Sequence, residues 1–126
     1  MKKIQIGVMG SAEDLNYGID ALECAKEIGK EIAKSGNILV YGANVGDQQS
    51  VQNMVNYTIS NFGEIDVLIN NAGISCSGLL QDISFDEWNS VISTNLTGTY
   101  NLCKCVLPEM INKKRGKIIL RFNAVQ

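Results

Sequence analysis

The chain has 126 residues, 45% of them apolar, and a formal net charge of −2 from 11 basic and 13 acidic side chains. That length supports one domain with a sizeable core, and the mixed charges, with no basic stripe, speak against a nucleic-acid surface. Histidine is absent, which removes the commonest general base and the commonest metal ligand together.

Cys24, Cys76, Cys103 and Cys105 make no C-x-x-C pair. On a helix Cys103 and Cys105 would point about 200° apart, so buried thiols in a reducing compartment are preferred over a metal site. No apolar run approaches the roughly 20 residues of a membrane span. The apolar stretch after Met1-Lys2-Lys3 is too short for the core of a signal peptide. The expectation is a cytoplasmic protein with no metal, no membrane contact and no nucleic-acid partner.

Residues 4–9 alternate and are rich in β-branched side chains, which predicts a first strand. Gly10-Ser11-Ala12-Glu13-Asp14 forms the turn beyond it. A helix is expected over residues 18–35, with Ala21, Ala25, Ile28, Gly29, Ile32 and Ala33 on one stripe and Gly36 ending it. Residues 37–41 read as a second strand, closed by Gly42. Asp47 is placed to cap a second helix whose buried stripe is Val51, Met54, Val55, Ile59 and Phe62, with Gly63 as its stop. A third strand follows at 65–69. Ser84 and Glu87 have capping-box spacing ahead of a long helix with Trp88, Val91, Ile92, Leu96 and Cys103 inward. Pro108 is placed to kink that helix near its end, and Lys113-Lys114-Arg115 reads as its cationic terminus. Gly116 precedes a last strand at 117–122.

Alternating strands and helices, with near-continuous apolar strands, predict an α/β protein with a parallel sheet and helical crossovers. Right-handed crossovers give a three-layer, Rossmann-like or flavodoxin-like arrangement of four strands in the order 2-1-3-4. Its switch point lies between the first and third strands, where ligands bind outside the carboxyl ends.

The third strand runs into Asn70-Asn71-Ala72-Gly73. Together with Ala43-Asn44-Val45-Gly46-Asp47, Asp86-Glu87-Trp88 and Thr94-Asn95-Leu96-Thr97-Gly98-Thr99, this segment resembles the short-chain dehydrogenase/reductases, most closely the 3-oxoacyl-acyl-carrier-protein reductases. The likeness covers residues 43–119. It implies that Asn44 and Val45 lie near a cofactor adenine, that Asn70, Asn71, Ala72 and Gly73 support the central sheet and line the cofactor, and that Asn95 is the helix-borne active-site Asn. Residues 1–42 instead resemble the opening of the lysine-decarboxylase-like (LOG-type) nucleotide-binding proteins, without their Pro-Gly-Gly-x-Gly-Thr phosphate loop. The whole reads as one Rossmann-like domain, residues 1–126, joined near 42–43. An engineered or recombined chimera is the leading explanation, and a diverged natural protein the alternative.

Tyr100 and Lys104 match Tyr-x-x-x-Lys and share a helical face, but the resembled family carries that pair on the helix after the last strand. Phe122 or Asn123 stands where its Ser belongs, and the sequence runs out at Gln126 before the pair could recur. No catalytic residue is therefore assigned. Gly10, Ser11 and Ala12 are either a simple strand-to-helix loop or an anion site, with Glu13 and Asp14 opposing an anion. The expectation is an inert domain that requires no cofactor, with NAD or NADP possible but weak. An NAD(P)-dependent oxidoreductase of the short-chain type is the alternative. A homodimer is expected, through a bare apolar sheet face or through the long helix from Phe85, with an exchanged C-terminal strand as a third route.

Overall fold

A computed structural model describes residues 41–121. The expected first strand, first helix and second strand lie outside these residues, apart from Tyr41, as do Gly10, Ser11 and Ala12 and the end of the last strand from Phe122. The described elements are α1 (Gln48–Phe62), β1 (Val67–Asn70), a 3-10 turn (Leu80–Asp82), α2 (Phe85–Ile92), a π-helical segment (Ser93–Thr97), α3 (Gly98–Asn112) and β2 (Lys117–Leu120).

The signals that predict α1 act as expected. The Asp47 carboxylate accepts hydrogen bonds from the Gln49 and Ser50 N–H groups at 3.3 and 2.9 Å, satisfying donors that the first helical turn leaves free. Val51, Met54 and Val55 are buried on its inner stripe. Gly63 ends it in a left-handed conformation, φ +88°, and its N–H returns to the Ile59 carbonyl at 2.7 Å.

Strands β1 and β2 are parallel neighbours, in the register Val67↔Lys117 to Asn70↔Leu120. This matches the adjacency expected for the third and fourth strands. The ladder starts later and ends later than the apolar run suggests. Ile65 precedes it, while Asn70 belongs to it and its carbonyl accepts from the Arg121 N–H at 2.9 Å.

The capping box at α2 is complete. Ser84 Oγ accepts from the Glu87 N–H at 3.2 Å, and the Glu87 carboxylate accepts from the Ser84 N–H at 2.9 Å and from its hydroxyl at 2.6 Å. These two bonds hold the Glu87 carboxyl below its ordinary pKa of 4.5.

The expected inner face of the long helix needs correction. Trp88 and Leu96 are exposed, and the buried positions are Thr94, Gly98, Asn101, Leu102, Val106 and Met110. Two physical causes act together. The π-helical turn at Ser93–Thr97 adds a residue and shifts the phase between α2 and α3. The helix also comes so close to the loop at Val45 that only small or hydrogen-bonding side chains fit. A Cβ on Gly98 would stand 2.6 Å from Val45 Cγ2, and Asn101 Nδ2 donates to the Val45 carbonyl at 3.0 Å.

Helix α3 continues past Pro108 to Asn112. It ends in a Schellman motif: Lys114 takes φ +53°, its N–H donates to the Ile111 carbonyl, and the Arg115 N–H donates to Met110. The core joins Ala43 and Val45 of the loop, Val51, Met54 and Val55 of α1, Leu68 of β1, and Leu102, Val106 and Met110 of α3. Helices α1 and α3 thus pack together over one face of the strands. Val67 and Ile119, which alternate with the buried positions, are exposed.

Candidate functional site

At the carboxyl ends of β1 and β2 the chain opens into a cleft of about 190 Å³, lined by residues 70–75, Asn95, Thr99, Leu120 and Arg121. This is where parallel sheets place ligands, because strand ends and helix starts leave backbone groups unpaired there.

Each wall has a local reason. Asn70 ends β1 with its side chain buried. Its Nδ2 donates to Cys103 Sγ of α3 at 3.7 Å, while Oδ1 has no partner among the described residues. Asn71 is exposed, and its Oδ1 accepts from Arg121 Nη1 at 3.3 Å. Beyond it, Asn95 is tied to the loop by two bonds in opposite directions. Its Nδ2 donates to the Ile74 carbonyl and its Oδ1 accepts from the Ile74 N–H, both at 2.9 Å. This amide-to-backbone clasp sets the distance between the loop and the helix. A Cβ on Gly73 would lie 3.5 Å from Asn95 Oδ1, so a larger side chain there would enter the cleft. Asn95 lies in the π-helical segment, a distortion frequent at functional sites. Thr99 Oγ1 donates to the Asn95 carbonyl at 2.8 Å and supports that turn.

The cleft lining contains amides, hydroxyls, apolar groups and one guanidinium, with no carboxylate. Such a set suits a ligand with anionic and amide groups. No group of three or more metal-ligating side chains occurs among the described residues.

Of the expected site residues, Asn71, Ala72 and Gly73 meet in the cleft together with Asn95. Asn44 and Val45 do not line it. Asn44 Oδ1 accepts from the Gly46 N–H at 2.8 Å, and the Val45 side chain is in the core. Tyr100 and Lys104 do share a helical face, but neither lines the cleft. Lys104 Nζ lies 5.4 Å from the Tyr100 ring centroid, a cation–π contact. Cys105 Sγ donates to Gln52 Oε1 at 3.5 Å, and burial pushes its thiol pKa up against the opposing charge of Lys104. A nucleophilic role needs the opposite shift.

Arg121, Ile74 and Thr99 were not foreseen in the cleft. Ile74 acts through its backbone and carries no sequence signal, whereas Thr99 belongs to the family-like run of residues 94–99 without being singled out. Arg121 did carry one, as a charged residue directly after an apolar strand beside the Asn-Asn-Ala-Gly strand.

The short-chain dehydrogenase family model matches residues 15–120. The 3-oxoacyl-[acyl-carrier-protein] reductase of Staphylococcus aureus is 37% identical over 117 residues, which cover 92% of this chain and 47% of that protein. The reductase of the same name from Salmonella typhimurium is 39% identical over 95 residues, 75% of this chain and 38% of that one. The chain thus spans about half the length, or less, of these curated relatives. Among solved structures, ElxO with NADP bound has a TM-score of 0.69 and 36% identity, over 78% of this chain and 40% of that chain. A metagenomic short-chain oxidoreductase in complex with NADP has a TM-score of 0.72 and 28% identity, over 82% and 48%.

These relatives revise two expectations. The family match begins at residue 15 and extends across residues 42–43, and nothing in it supports an inert chimera. A domain that requires no cofactor is also at odds with neighbours whose structures hold NADP.

Proposed function

The chain belongs to the short-chain dehydrogenase family, and from that premise we propose that residues 41–121 build the nicotinamide-side wall of the cleft in an NAD(P)-dependent oxidoreductase. The observation that carries this reading is the Asn95–Ile74 clasp, which holds the Asn-Asn-Ala-Gly loop open at the carboxyl ends of two parallel strands. The residues suit the cofactor: amides and hydroxyls for its carboxamide and ribose, a glycine where a side chain would intrude, and no carboxylate to repel its phosphates.

When bound, the cofactor supplies or accepts a hydride. The work of this region is to bind and orient it. Asn71, Ala72 and Gly73 present one wall, Asn95 and Thr99 the other, and Leu120 gives an apolar edge at the strand end. Neither Tyr nor Lys lines the cleft, so the proton that accompanies carbonyl reduction has to come from a group outside these residues. The carbonyl substrate belongs to the same proposal, and a 3-oxoacyl group is the class suggested by the relatives' names.

NADPH fluorescence titration of the full chain tests the reading. Saturable binding in the millimolar range is expected, because the sequence after the first expected strand offers no Gly-x-x-x-Gly-x-Gly turn. Gly73→Val should abolish it by filling the cleft. A linear response with no saturation would overturn the proposal. The homodimer remains part of this reading, with Phe85, Trp88, Leu96 and Tyr100 exposed along α2, the π-helical segment and α3. Sedimentation at tens of micromolar that gives only monomer would remove it.

A further inference from the structure

Arg121 is the only charged side chain lining the cleft among the described residues. Its backbone is fixed as the last rung of the strand pair, by its N–H to the Asn70 carbonyl at 2.9 Å. Its guanidinium reaches across to Asn71 Oδ1 at 3.3 Å. That bond engages one of five N–H donors on a neutral partner. Two cations near these strands behave differently: Lys113 and Arg115 are both paired with carboxylates at the opposite strand ends. At Arg121 the charge is uncompensated by any carboxylate among the described residues, beside a loop whose Gly73 leaves space for a ligand to approach.

We propose that Arg121 is an anion anchor, held by Asn71, that takes a phosphate or carboxylate oxygen of the molecule bound in the cleft. A planar guanidinium with free donors suits two-point binding of either group. The inference deepens the cofactor reading, since the pyrophosphate of a dinucleotide is one source of such an anion. A carboxylate on a second ligand is the other. The anchor also sets specificity, because a neutral ligand of the same shape would leave the guanidinium partly desolvated and unpaired.

Calorimetric titration of the full chain with inorganic pyrophosphate, succinate and NADPH separates the possibilities. Wild type is compared with Arg121→Gln, Arg121→Lys and Asn71→Ala, with far-UV circular dichroism confirming that each is folded. The expected result is a loss of about tenfold or more in pyrophosphate and NADPH affinity for Arg121→Gln. Arg121→Lys should retain part of it, and Asn71→Ala should lose less than Arg121→Gln. Added salt should weaken wild-type binding more than that of Arg121→Gln. A loss confined to succinate would support the anchor and assign it to a substrate carboxylate. Arg121-dependent pyrophosphate binding without NADPH binding would uphold the anchor and remove the cofactor reading. NADPH binding that is unchanged in Arg121→Gln, with pyrophosphate and succinate also unchanged, would overturn the anchor and leave the cofactor reading standing. If wild type binds none of the three, both fall.

Discussion

The two ends of the β1–β2 pair are built on opposite electrostatic plans. At the amino end, Lys113 Nζ lies 2.9 Å from Glu109, 3.6 Å from Glu64 and 3.9 Å from Asp66, and it also donates to the Ile65 carbonyl at 3.2 Å. Arg115 reaches the same Glu64 and Asp66. Lys113 and Arg115 meet partners there, and the cluster ties the end of α3 to the start of β1. At the carboxyl end neutral amides do the fastening, and among the described residues the single cation lining the cleft faces no carboxylate. A structural end can cancel its charges, whereas a binding end must leave some interaction unmet for a ligand to complete. The difference separates the clamp from the cleft more clearly than burial does.

The comparison breaks most severely at the clamp. Lys113→Met should lower stability by ~1 kcal/mol, since Glu109 loses its cation while Glu64 and Asp66 keep only Arg115. Denaturant unfolding would measure this, and an unchanged NADPH titration would show that the two ends are independent. The pH dependence has a definite sign. Desolvation pulls the Lys113 pKa down, but the Glu109 hydrogen bond and the charges of Glu109, Glu64 and Asp66 outweigh it and leave it above the ordinary 10.5. Its contribution is therefore fully present below about pH 10.5 and is lost as pH rises through the higher folded value.

At the cleft, Asn95→Ala should cost ~1 kcal/mol by removing both clasp bonds, each of which competes with water. Its larger effect should be on NADPH affinity, and equal loss of stability and no loss of affinity would count against the clasp as a site element. Lys114→Gly should raise stability by ~0.5 kcal/mol, because glycine adopts the positive φ of the helix end without a Cβ penalty. A thermal shift in the opposite direction would show that Lys114 makes a compensating contact.

The smallest effect is expected at the start of α2. The folded Glu87 pKa is depressed by Ser84, so its contribution is present above the unfolded value and lost as pH falls through the folded one. Glu87→Gln keeps the capping geometry without the charge. It should flatten the acid side of the stability profile relative to wild type.

How far these features were legible in the sequence varied with their physical origin. The span of helix α1 was legible because a cap, an apolar stripe and a terminal glycine mark it locally, although of the expected stripe Ile59 and Phe62 are only half-buried. The capping box at Ser84 and Glu87 was legible for the same reason. The inner face of α3 was not. Bulky apolar side chains attract an inward assignment, yet the close approach at Val45 admits Gly98 and Asn101 and turns Leu96 and Tyr100 outward. Asn71, Ala72 and Gly73 could be placed from the motif they share with a known family. Their partner Ile74 could not, since it contributes only backbone. The pairing of Arg121 with Asn71 depends on strand register, which a single apolar run does not specify.

The π-helical segment makes the cleft sensitive to chain length in a way no side-chain substitution imitates. Residues 93–97 contain one position more than a regular helical path would need. Deleting a single residue there would restore the ordinary path and leave the helices on either side in their present orientation, while removing the wide turn that carries Asn95. Asn95 would swing away from Ile74, while α3 kept its seat on the core. The orientation of one wall of the site is written in residue count, as well as in residue identity.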